Sequence, residues 1–450
     1  FMVFWAARIP LGQLSIAAAQ LPLSGAQLAT MIAPIVAHNV GHQLIDRGFE
    51  PPLPIPPELQ IAHAGPQLSR VLAVSRPIES LAQRASAVAV GLGGPSVSVV
   101  ICTRNRSESL AKCLRSVSQL SPAPEEVLVI DNAPTAGATR EVVDRFPHVR
   151  YIVEPKPGLS AARNRGVVES CGDVIAFTDD DVVVHERWVD ATRRAFVDGE
   201  DVMAVTGLVL PAELGTRAQY VFQSDTLGWG WGYRTLDFDR TFFDRMKRLG
   251  VPAWRLGAGA NMAFRREVFA RVGLFDERLG AGASGCSEDS ELWYRLLAEG
   301  YRCRYTPSSV VFHHHRAEWE GLRQQMHSYM RGHVAALFFQ FARYRHWGNL
   351  YRAFVAVPAY LARLVLHSIK QRLGRLLYES ESASLTQPVG PQIRGAIAGY
   401  AYYVRHRRHH QGPAKTGHYD SPAEAGTYDS LAKTGPYERA KSSRAMESSR

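Results

Sequence analysis

Short apolar runs and stretches with helical spacing follow one another from residue 96 to residue 178. The apolar runs are rich in β-branched residues, as is typical of buried strands, and they cover residues 97–102, 127–130, 151–153 and 174–177. The stretches between them place apolar residues three or four positions apart, at 107–117, 139–145 and 159–169. Strands that alternate with helices in this way predict an α/β fold with a mostly parallel sheet and helices on both faces.

Beyond residue 202 the alternation loosens, although further elements are predicted. Two glycine-rich stretches, at 228–232 and 257–261, are typical of tight turns or of close backbone approach to a ligand. A helix is expected at 288–299, followed by two short strands at 302–305 and 310–312.

The pattern divides the chain into four predicted regions. Residues 1–95 are weakly patterned and include a Pro-rich stretch, and we interpret them as an accessory region forming a small α/β or helical cap. Residues 96–320 form the main α/β domain, and residues 321–410 a basic helical extension. Residues 411–450 contain few large aliphatic side chains, so disorder is expected there.

The net charge of the 450-residue chain is +10, and it is concentrated in one segment. Residues 343–408 carry eleven Lys or Arg against two Glu. The basic character therefore belongs to the extension and indicates little about the core. No nucleic-acid motif accompanies it, so no nucleic-acid partner is expected.

Part of this extension, residues 353–377, is amphipathic. It is interrupted at Pro358 and carries too much charge to be expected to span a membrane. Two alternatives remain open: the helix lies in an anionic lipid interface, or it packs on the main domain. Five cysteines without a CxxC pair, together with the absence of a charged secretory start, favour a cytoplasmic location, with peripheral contact at the inner membrane face as an option.

Three consecutive carboxylates, Asp179, Asp180 and Asp181, follow the last of the four apolar runs. Ligands bind outside the carboxyl ends of the strands in sheets of this type. Side chains alternate along a strand, so Asp179 and Asp181 are expected to share a side. Two hard oxygen ligands at this spacing suit Mg²⁺ or Mn²⁺. The alternative for the three residues alone is a solvated acidic turn.

Several segments together resemble family 2 glycosyltransferases, in the order that the family shows. The segments are SVSVVICTRNR (96–106), VLVIDNAP (127–134), PGLSAARNRG (157–166), VIAFTDDD (174–181), GAGANMAFRR (257–266), FDERLGAGASGCSEDSEL (275–292) and VVFHHHR (310–316). The resemblance covers about half of the chain. It implies a GT-A-like, nucleotide-diphosphate-binding α/β fold and an inverting transfer from a nucleotide-diphosphate-sugar.

The resemblance also implies roles for residues of the donor site. Asp179 and Asp181 match the metal-binding pair, and Asp180 is placed to contact the ribose. Arg163 matches a phosphate or nucleotide contact, with a surface ion pair as the alternative. Thr103 and Asp131 match positions that hold the nucleobase. For Asp131 an alternative role stays open, that of a turn-initiating residue before Pro134.

On the acceptor side, Asp289 matches the general base, the acid of the family's Glu-Asp motif. Acids in a first helical turn are also favoured by the helix dipole alone. One of His313–His315, with His315 preferred, is a candidate third metal contact; the alternative is a solvated tail. Candidates for the acceptor site are Trp229, Trp231, Asn261 and Glu288, with the core as the alternative for the aromatic residues.

The predicted activity is a metal-dependent transfer of a sugar to a hydroxyl of a glycan, of a lipid-linked acceptor or of a similar cell-envelope glycan. Two alternatives remain. A sugar nucleotidyltransferase also needs paired aspartates, but it usually has a glycine-rich loop after the first strand, where this chain has CTRNR. A non-catalytic nucleotide-sugar-binding scaffold would not require a base such as Asp289.

Overall fold

A computed structural model describes residues 1–46 except 8 and 17, residues 79 and 81, and residues 93–225, 232–378 and 387–408. The predicted disordered tail at 411–450 and the candidate acceptor residues Trp229 and Trp231 lie outside the described residues.

The strands are, in chain order, Met2–Ala6 (β1), Ile9–Leu14 (β2), Val97–Thr103 (β3), Glu126–Asn132 (β4), Val149–Glu154 (β5), Val174–Asp179 (β6), Val182–Val184 (β7), Val202–Pro211 (β8), Leu236–Phe238 (β9), Met262–Arg265 (β10) and Arg302–His313 (β11). The α-helices are Gly25–Asp46 (α1), Ser107–Val117 (α2), Ala138–Val143 (α3), Leu159–Glu169 (α4), Trp188–Val197 (α5), Arg217–Asp225 (α6), Arg240–Met246 (α7), Glu267–Val272 (α8), Glu288–Ala298 (α9), Trp319–Tyr344 (α10), Gly348–Tyr351 (α11), Val357–Tyr378 (α12) and Val389–His406 (α13).

Strands β3–β11 form one nine-stranded sheet in the order β5-β4-β3-β6-β10-β8-β11-β7, with β9 paired to β11. The first four strands of this order are parallel, as the alternation of strands and helices predicts. Strand β10 then runs antiparallel to both β6 and β8, so the sheet as a whole is mixed. The predicted α/β class is confirmed, and the parallel character is limited to one half of the sheet and the β8–β11 pair.

The two faces of the sheet are each covered by an apolar core, because side chains alternate along the central strands. Val97, Val99 and Ile101 of β3 pack into a core that also contains residues of α2 and α5. Val100 and Cys102 of the same strand pack into the opposite core, with residues of α8 and α9. The predicted arrangement of helices on both faces is therefore confirmed.

Strand β11 is one long element where the sequence predicts two short ones. It pairs in parallel with β8, and its register shifts between Thr306 and Val310. The extra residues at this shift form a bulge, which leaves a break in the apolar alternation but does not end the strand. The carboxyl end of β11 at His313 thereby reaches the region of the acidic turn after β6, because His313 pairs with Val182.

The C-terminal helices are joined by close packing of glycines. Gly395 and Gly399 of α13 lie against α10, where an added Cβ would come 2.4 Å from the carbonyl oxygen of His327 and 2.5 Å from that of Arg331. Such close approach is open only to glycine. Helix α11 continues through a π-helical turn, Arg352–Ala356, into α12 just before Pro358. The wider turn accommodates the proline, which cannot donate a backbone hydrogen bond.

One stretch of these helices, Gly348–Lys370, is long and apolar enough to cross a membrane by length and composition, with a mean hydropathy of 1.3. Only 6% of this stretch is buried. Its large exposed side chains include Phe354 and Leu366. The expectation that this helix does not span a membrane stays a prediction.

At the other end of the chain, β1 and β2 form an antiparallel hairpin that packs with α1 around a small core containing Leu11 and Val40. The Trp5 ring stacks on His185 with 5.1 Å between ring centroids. A small α/β element is therefore present, whereas the boundary predicted at residue 95 stays a prediction.

Candidate active site

A cleft of about 1070 Å³ opens where β3 and β6 end and α9 begins. It brings together most of the residues that the sequence predicts for the donor and base sites: Thr103, Arg163, Asp179, Asp180, Asp181, Glu288 and Asp289. These residues come from segments that are up to 186 positions apart, from 103 to 289, so the fold alone assembles them. The acid pair and the proposed base share one cavity.

The three acids lie at the turn between β6, which ends at Asp179, and β7. Asp180 is the most enclosed of them at 3% exposure, and its Oδ2 accepts a hydrogen bond from Thr103 Oγ1 at 2.7 Å. Its Oδ1 accepts from Arg106 at 2.6 Å. Burial raises the pKa of Asp180 to about 7, although Arg106 acts in the opposite direction. The residue therefore ties the ends of β3 and β6 together.

Asp181 faces two cationic or cation-forming side chains. Its Oδ2 accepts from Arg106 Nη2 at 2.7 Å, and its Oδ1 lies 3.4 Å from His313 Nε2. Burial alone would raise the pKa of Asp181, but His313 and Arg106 outweigh it, and the pKa is lowered. Asp181 is thus held as a carboxylate at the mouth of the turn.

Arg163 links the acid turn to the start of α9. Its side chain is 2% exposed, and its two terminal nitrogens lie 2.6 Å from Glu288 Oε1 and 3.3 Å from Asp179 Oδ1. Burial would lower the pKa of Arg163, but Glu288 and Asp179 raise it, so the guanidinium stays charged. The alternative of a surface ion pair is wrong, because the residue is buried between two acids.

Glu288 is the first residue of α9 and has only one of its carboxyl oxygens bonded. Oε2 is buried and has no hydrogen-bond partner among the described residues. Burial raises the pKa of Glu288 to about 7 against the opposing effect of Arg163, and Asp289 adds to the rise. The carboxyl group consequently changes its protonation state near neutral pH, beside the proposed base.

Both carboxyl oxygens of Asp289 are held by backbone donors. Gly259 N–H donates to Oδ2 at 2.9 Å, and Ser290 N–H donates to Oδ1 at 2.6 Å. An added Cβ at Gly259 would lie 2.7 Å from an Arg163 nitrogen and 3.2 Å from Asp289 Oδ2. The glycine-rich stretch at 257–261 therefore lets the backbone reach the carboxylate of Asp289.

The loop before α9 is held by a residue that the sequence does not single out. Arg331 of α10 donates through Nε to the carbonyl oxygen of Ser284 at 2.6 Å and through Nη2 to that of Ala283. Gly332 packs against the same loop, where an added Cβ would lie 2.5 Å from the carbonyl oxygen of Cys286. Helix α10 thus fixes the approach to Glu288 and Asp289.

Besides His315, two of the predicted site residues that the structure describes do not line the cleft. Asp131 is fully buried, and its Oδ2 accepts from the Tyr151 hydroxyl at 2.8 Å, while its neighbour Asn132 lines the cleft instead. Asn261 is bonded on both sides of its amide: Trp188 Nε1 donates to Oδ1 at 2.9 Å, and Nδ2 donates to the carbonyl oxygen of Ser309 at 2.9 Å. The structure places both of them in the protein interior.

The histidines after β11 are also distributed differently from the prediction. His313 lines the cleft beside Asp181, whereas His315 does not. His315 packs on the Phe222 ring, its Nε2 lies 2.9 Å from Gln223 Oε1, and its Nδ1 lies 3.0 Å from His313 Nδ1. The strand spacing correctly puts both rings on one side, but only His313 reaches the acids.

Among the described residues, no group of three His, Cys, Asp or Glu side chains is already arranged to hold a metal ion. The donor chemistry nevertheless fits Mg²⁺ or Mn²⁺, because two carboxylates and one imidazole face the same end of the cleft. Arg106 and Arg163 each occupy one oxygen of the acid pair, at Asp181 and Asp179 respectively. A cation would bind there in competition with Arg106, whose side chain is 39% exposed.

Comparisons with known proteins find similarity to glycosyltransferases. The family described as Glycosyl transferase family 2 matches residues 98–273. A glucosyl-dolichyl phosphate glucuronosyltransferase from Haloferax volcanii is 26% identical over 319 residues, covering 68% of this chain and 95% of that protein. An N-acetylglucosaminyl-diphospho-decaprenol L-rhamnosyltransferase from Mycobacterium tuberculosis is 29% identical over 234 residues, covering 48% of this chain and 75% of that protein.

The solved structures with similarity include a mannosyltransferase from Pyrobaculum calidifontis in complex with GDP-Man and Mn²⁺. It has a TM-score of 0.45 and 16% identity, and the match covers 72% of this chain and 93% of that chain.

The fold and the cleft have the arrangement expected of a nucleotide-sugar-dependent transferase. Residues 98–273 are similar to the glycosyltransferase family 2 domain, and the chain as a whole is similar to enzymes of that family.

Proposed function

We propose that the protein is a metal-dependent inverting glycosyltransferase that moves a sugar from a nucleotide-diphosphate-sugar to a hydroxyl acceptor. The observation that carries this proposal is the shared cleft, in which the acid pair at the end of β6 and Asp289 at the start of α9 face the same cavity. An inverting transfer needs both groups at once, because the leaving diphosphate and the attacking hydroxyl lie on opposite sides of the anomeric carbon.

At the donor end, Asp179 and Asp181 would hold Mg²⁺ or Mn²⁺, with His313 as the third protein contact. A bound divalent cation supplies charge neutralisation for the departing diphosphate. Arg163 adds a fixed positive charge at the same end, since Glu288 and Asp179 orient its guanidinium. Thr103 and Asp180 form the adjoining wall, where the ribose and base are expected.

At the acceptor end, Asp289 takes the proton of the acceptor hydroxyl while the hydroxyl oxygen bonds to the anomeric carbon. The bond from that carbon to the phosphate oxygen breaks, and its electron pair leaves with the nucleoside diphosphate. The hydrogen bonds from Gly259 and Ser290 hold the carboxylate in one orientation, as a general base requires. Glu288 lines the same cavity beside Asp289 and is proposed to contact the acceptor.

The acceptor is proposed to be a glycan or a lipid-linked molecule. The enzyme is proposed to work in the cytoplasm, in peripheral contact with an anionic membrane. The exposed apolar side chains of α12 and α13 support membrane contact, among them Leu366 and Ile397. The described stretches 345–378 and 387–408 contain several Lys and Arg but no Asp or Glu, which suits an anionic surface.

A thermal-shift panel of nucleoside diphosphates with and without Mn²⁺ tests the donor site. The wild-type protein should be stabilised by one nucleotide class, and only when Mn²⁺ is present. Asp181→Ala should lose both the nucleotide and the Mn²⁺ responses, whereas Asp244→Ala, which changes an exposed acid on α7, should keep both.

Two results would contradict the proposal. The absence of a shift with every nucleotide would favour a scaffold without turnover. A response that needs a nucleoside triphosphate together with a sugar phosphate would favour nucleotidyl transfer.

A further inference from the structure

The cleft extends well beyond the acids. Its volume of about 1070 Å³ lies just above the ~300–1,000 Å³ typical of a small-ligand pocket, so it has room for more than a nucleotide-sugar. The wall away from the acids is built by the C-terminal helices and by one residue of the short 3-10 helix Ala253–Arg255: Trp254, His333, Arg352, Tyr360 and Gln392. None of these side chains is used in the donor or base roles described above.

Arg352 is the charged group of this far wall. Its guanidinium lies over the Trp254 ring, 4.5 Å from the ring centroid, and donates to the carbonyl oxygen of Gly250 at 2.9 Å and 3.2 Å. Among the described residues, no Asp or Glu forms an ion pair with it. Burial lowers the pKa of Arg352, and the nearby Arg255 lowers it further. A half-buried positive charge without a carboxylate partner is a favourable place for a bound anion.

The exposed apolar surface begins at the same π-helical turn. Phe354, two residues after Arg352, is 62% exposed and contacts Phe338, with 5.6 Å between ring centroids. Tyr400 of α13 contacts the same Phe338 ring at 5.4 Å, so the exposed side chains of the two helices form one continuous face. Tyr360 donates to Gln392 Oε1 at 3.2 Å and joins the helices at the edge of the cleft.

The far wall therefore combines an uncompensated arginine inside the cleft with an apolar face that leads away from it. An isolated anion would use only the first feature, and an uncharged lipid only the second. A phosphate attached to an apolar chain uses both. The basic residues on the same helices, such as Arg363 and Arg394, and the absence of acids from them favour the anionic lipid surface in which such a molecule resides.

We infer that the far wall is an acceptor subsite for a phosphate-bearing lipid, with Arg352 binding the phosphate and the apolar chain leaving along α12 and α13. This inference rests on the proposed function and specifies its acceptor as a lipid phosphate or a sugar linked to one. Arg352 is a specificity-determining residue in this account and takes no part in the chemistry at the anomeric carbon.

The test is isothermal titration calorimetry with farnesyl phosphate in the absence of divalent metal. The full chain should bind the probe, and Arg352→Gln should weaken binding by about tenfold or more because a charge-assisted hydrogen bond is lost. Arg363→Gln, which removes an exposed arginine of α12 outside the cleft, should bind like the wild type. Farnesol and inorganic phosphate should each bind much more weakly than farnesyl phosphate.

Asp181→Ala distinguishes binding at the far wall from binding at the donor site, and this variant should retain farnesyl phosphate binding. Loss of farnesyl phosphate binding in Asp181→Ala would place the probe in the donor site and overturn the inference. Unchanged farnesyl phosphate binding by Arg352→Gln would also overturn it, as would binding of inorganic phosphate as tight as that of farnesyl phosphate. If Arg352→Gln does not fold, Arg352→Lys replaces it in the test. Its expected affinity for farnesyl phosphate is lower than that of the wild type and higher than the affinity of the wild type for farnesol. Nucleoside diphosphate binding with Mn²⁺ is measured on the same preparations: its absence contradicts the proposed function, whereas its presence without farnesyl phosphate binding contradicts the acceptor subsite alone.

Discussion

Replacing Arg163 by glutamine should destabilise the protein strongly, because this residue bridges two acids in the interior. Its side chain is 2% exposed, and that of Glu288 is 7% exposed. Removing one partner of a buried ion pair costs about 3–5 kcal/mol, since the other charge is left without compensation. Asp179 is 32% exposed, so it can be solvated and adds little to this cost.

The loss should also depend on pH in a defined direction. The folded-state pKa of Glu288, about 7, lies above its ordinary value of 4.5, so the folded state binds more protons than the unfolded state between these values. Stability therefore falls as the pH rises through this window, and without Arg163 the folded-state pKa rises further. Lowering the pH from 8 to 6 lets Glu288 become neutral and stabilises the variant by at most about 3 kcal/mol. The wild type, whose Glu288 has a pKa of about 7, gains roughly half of this over the same range, so the loss itself should shrink by at most about 1 kcal/mol.

Urea unfolding at pH 6 and pH 8, followed by circular dichroism, measures both effects. Arg165→Gln is the matched control on the same helix: Arg165 pairs with Glu169 one turn away at 2.7 Å and is 29% exposed, so its replacement should cost less than about 1 kcal/mol. The reasoning is refuted if Arg163→Gln is no more destabilising at pH 8 than Arg165→Gln, or if its loss is larger at pH 6 than at pH 8.

Two further changes test the helices behind the site. Gly332→Ala should destabilise the protein by about 1–3 kcal/mol and lower activity, because the new Cβ would lie 2.5 Å from the Cys286 carbonyl oxygen. The control is Gly390→Ala, which should be neutral or slightly stabilising because the nearest atom to its new Cβ lies 3.9 Å away. Urea unfolding measures the stability of both variants, and product formation measures their activity. Ile397→Glu should reduce co-sedimentation with vesicles that contain anionic lipid, because Ile397 is 68% exposed on α13, while Leu249→Glu, at a 50% exposed position outside the C-terminal helices, should not. Equal sedimentation of the two glutamate variants would contradict the proposed membrane face.

The sequence predicts the parallel half of the sheet well, because β3, β4 and β6 are buried on both faces and helices with clear spacing separate the four parallel strands. The other half is harder to predict. Strand β10 has four residues, too few to show a period, and the bulge in β11 divides one strand into two apolar runs. The antiparallel pairing of β10 depends on tertiary packing that local patterns do not encode.

The site shows the same distinction. The acid cluster and Asp289 can be located from strand ends, a helix start and the family resemblance. The residue of β4 that lines the cleft is Asn132, one position after the predicted Asp131. The two side chains differ because neighbouring side chains of a strand point to opposite faces. The importance of Arg106 could have been suspected from the cationic CTRNR segment directly after β3. Arg331 and Arg352 carry no local signal, since only the packing of α10 and of the π-helical turn after α11 brings them to the cleft.

The central claim is that Asp289 removes the proton of the acceptor, and Asp289→Asn tests it most directly. The asparagine keeps the shape of the side chain but cannot take up the proton. Release of nucleoside diphosphate from the donor identified by thermal shift should fall by about a hundredfold to ten-thousandfold, while the thermal shift with nucleoside diphosphate and Mn²⁺ stays at the wild-type value. Turnover equal to that of the wild type in the asparagine variant would contradict the account.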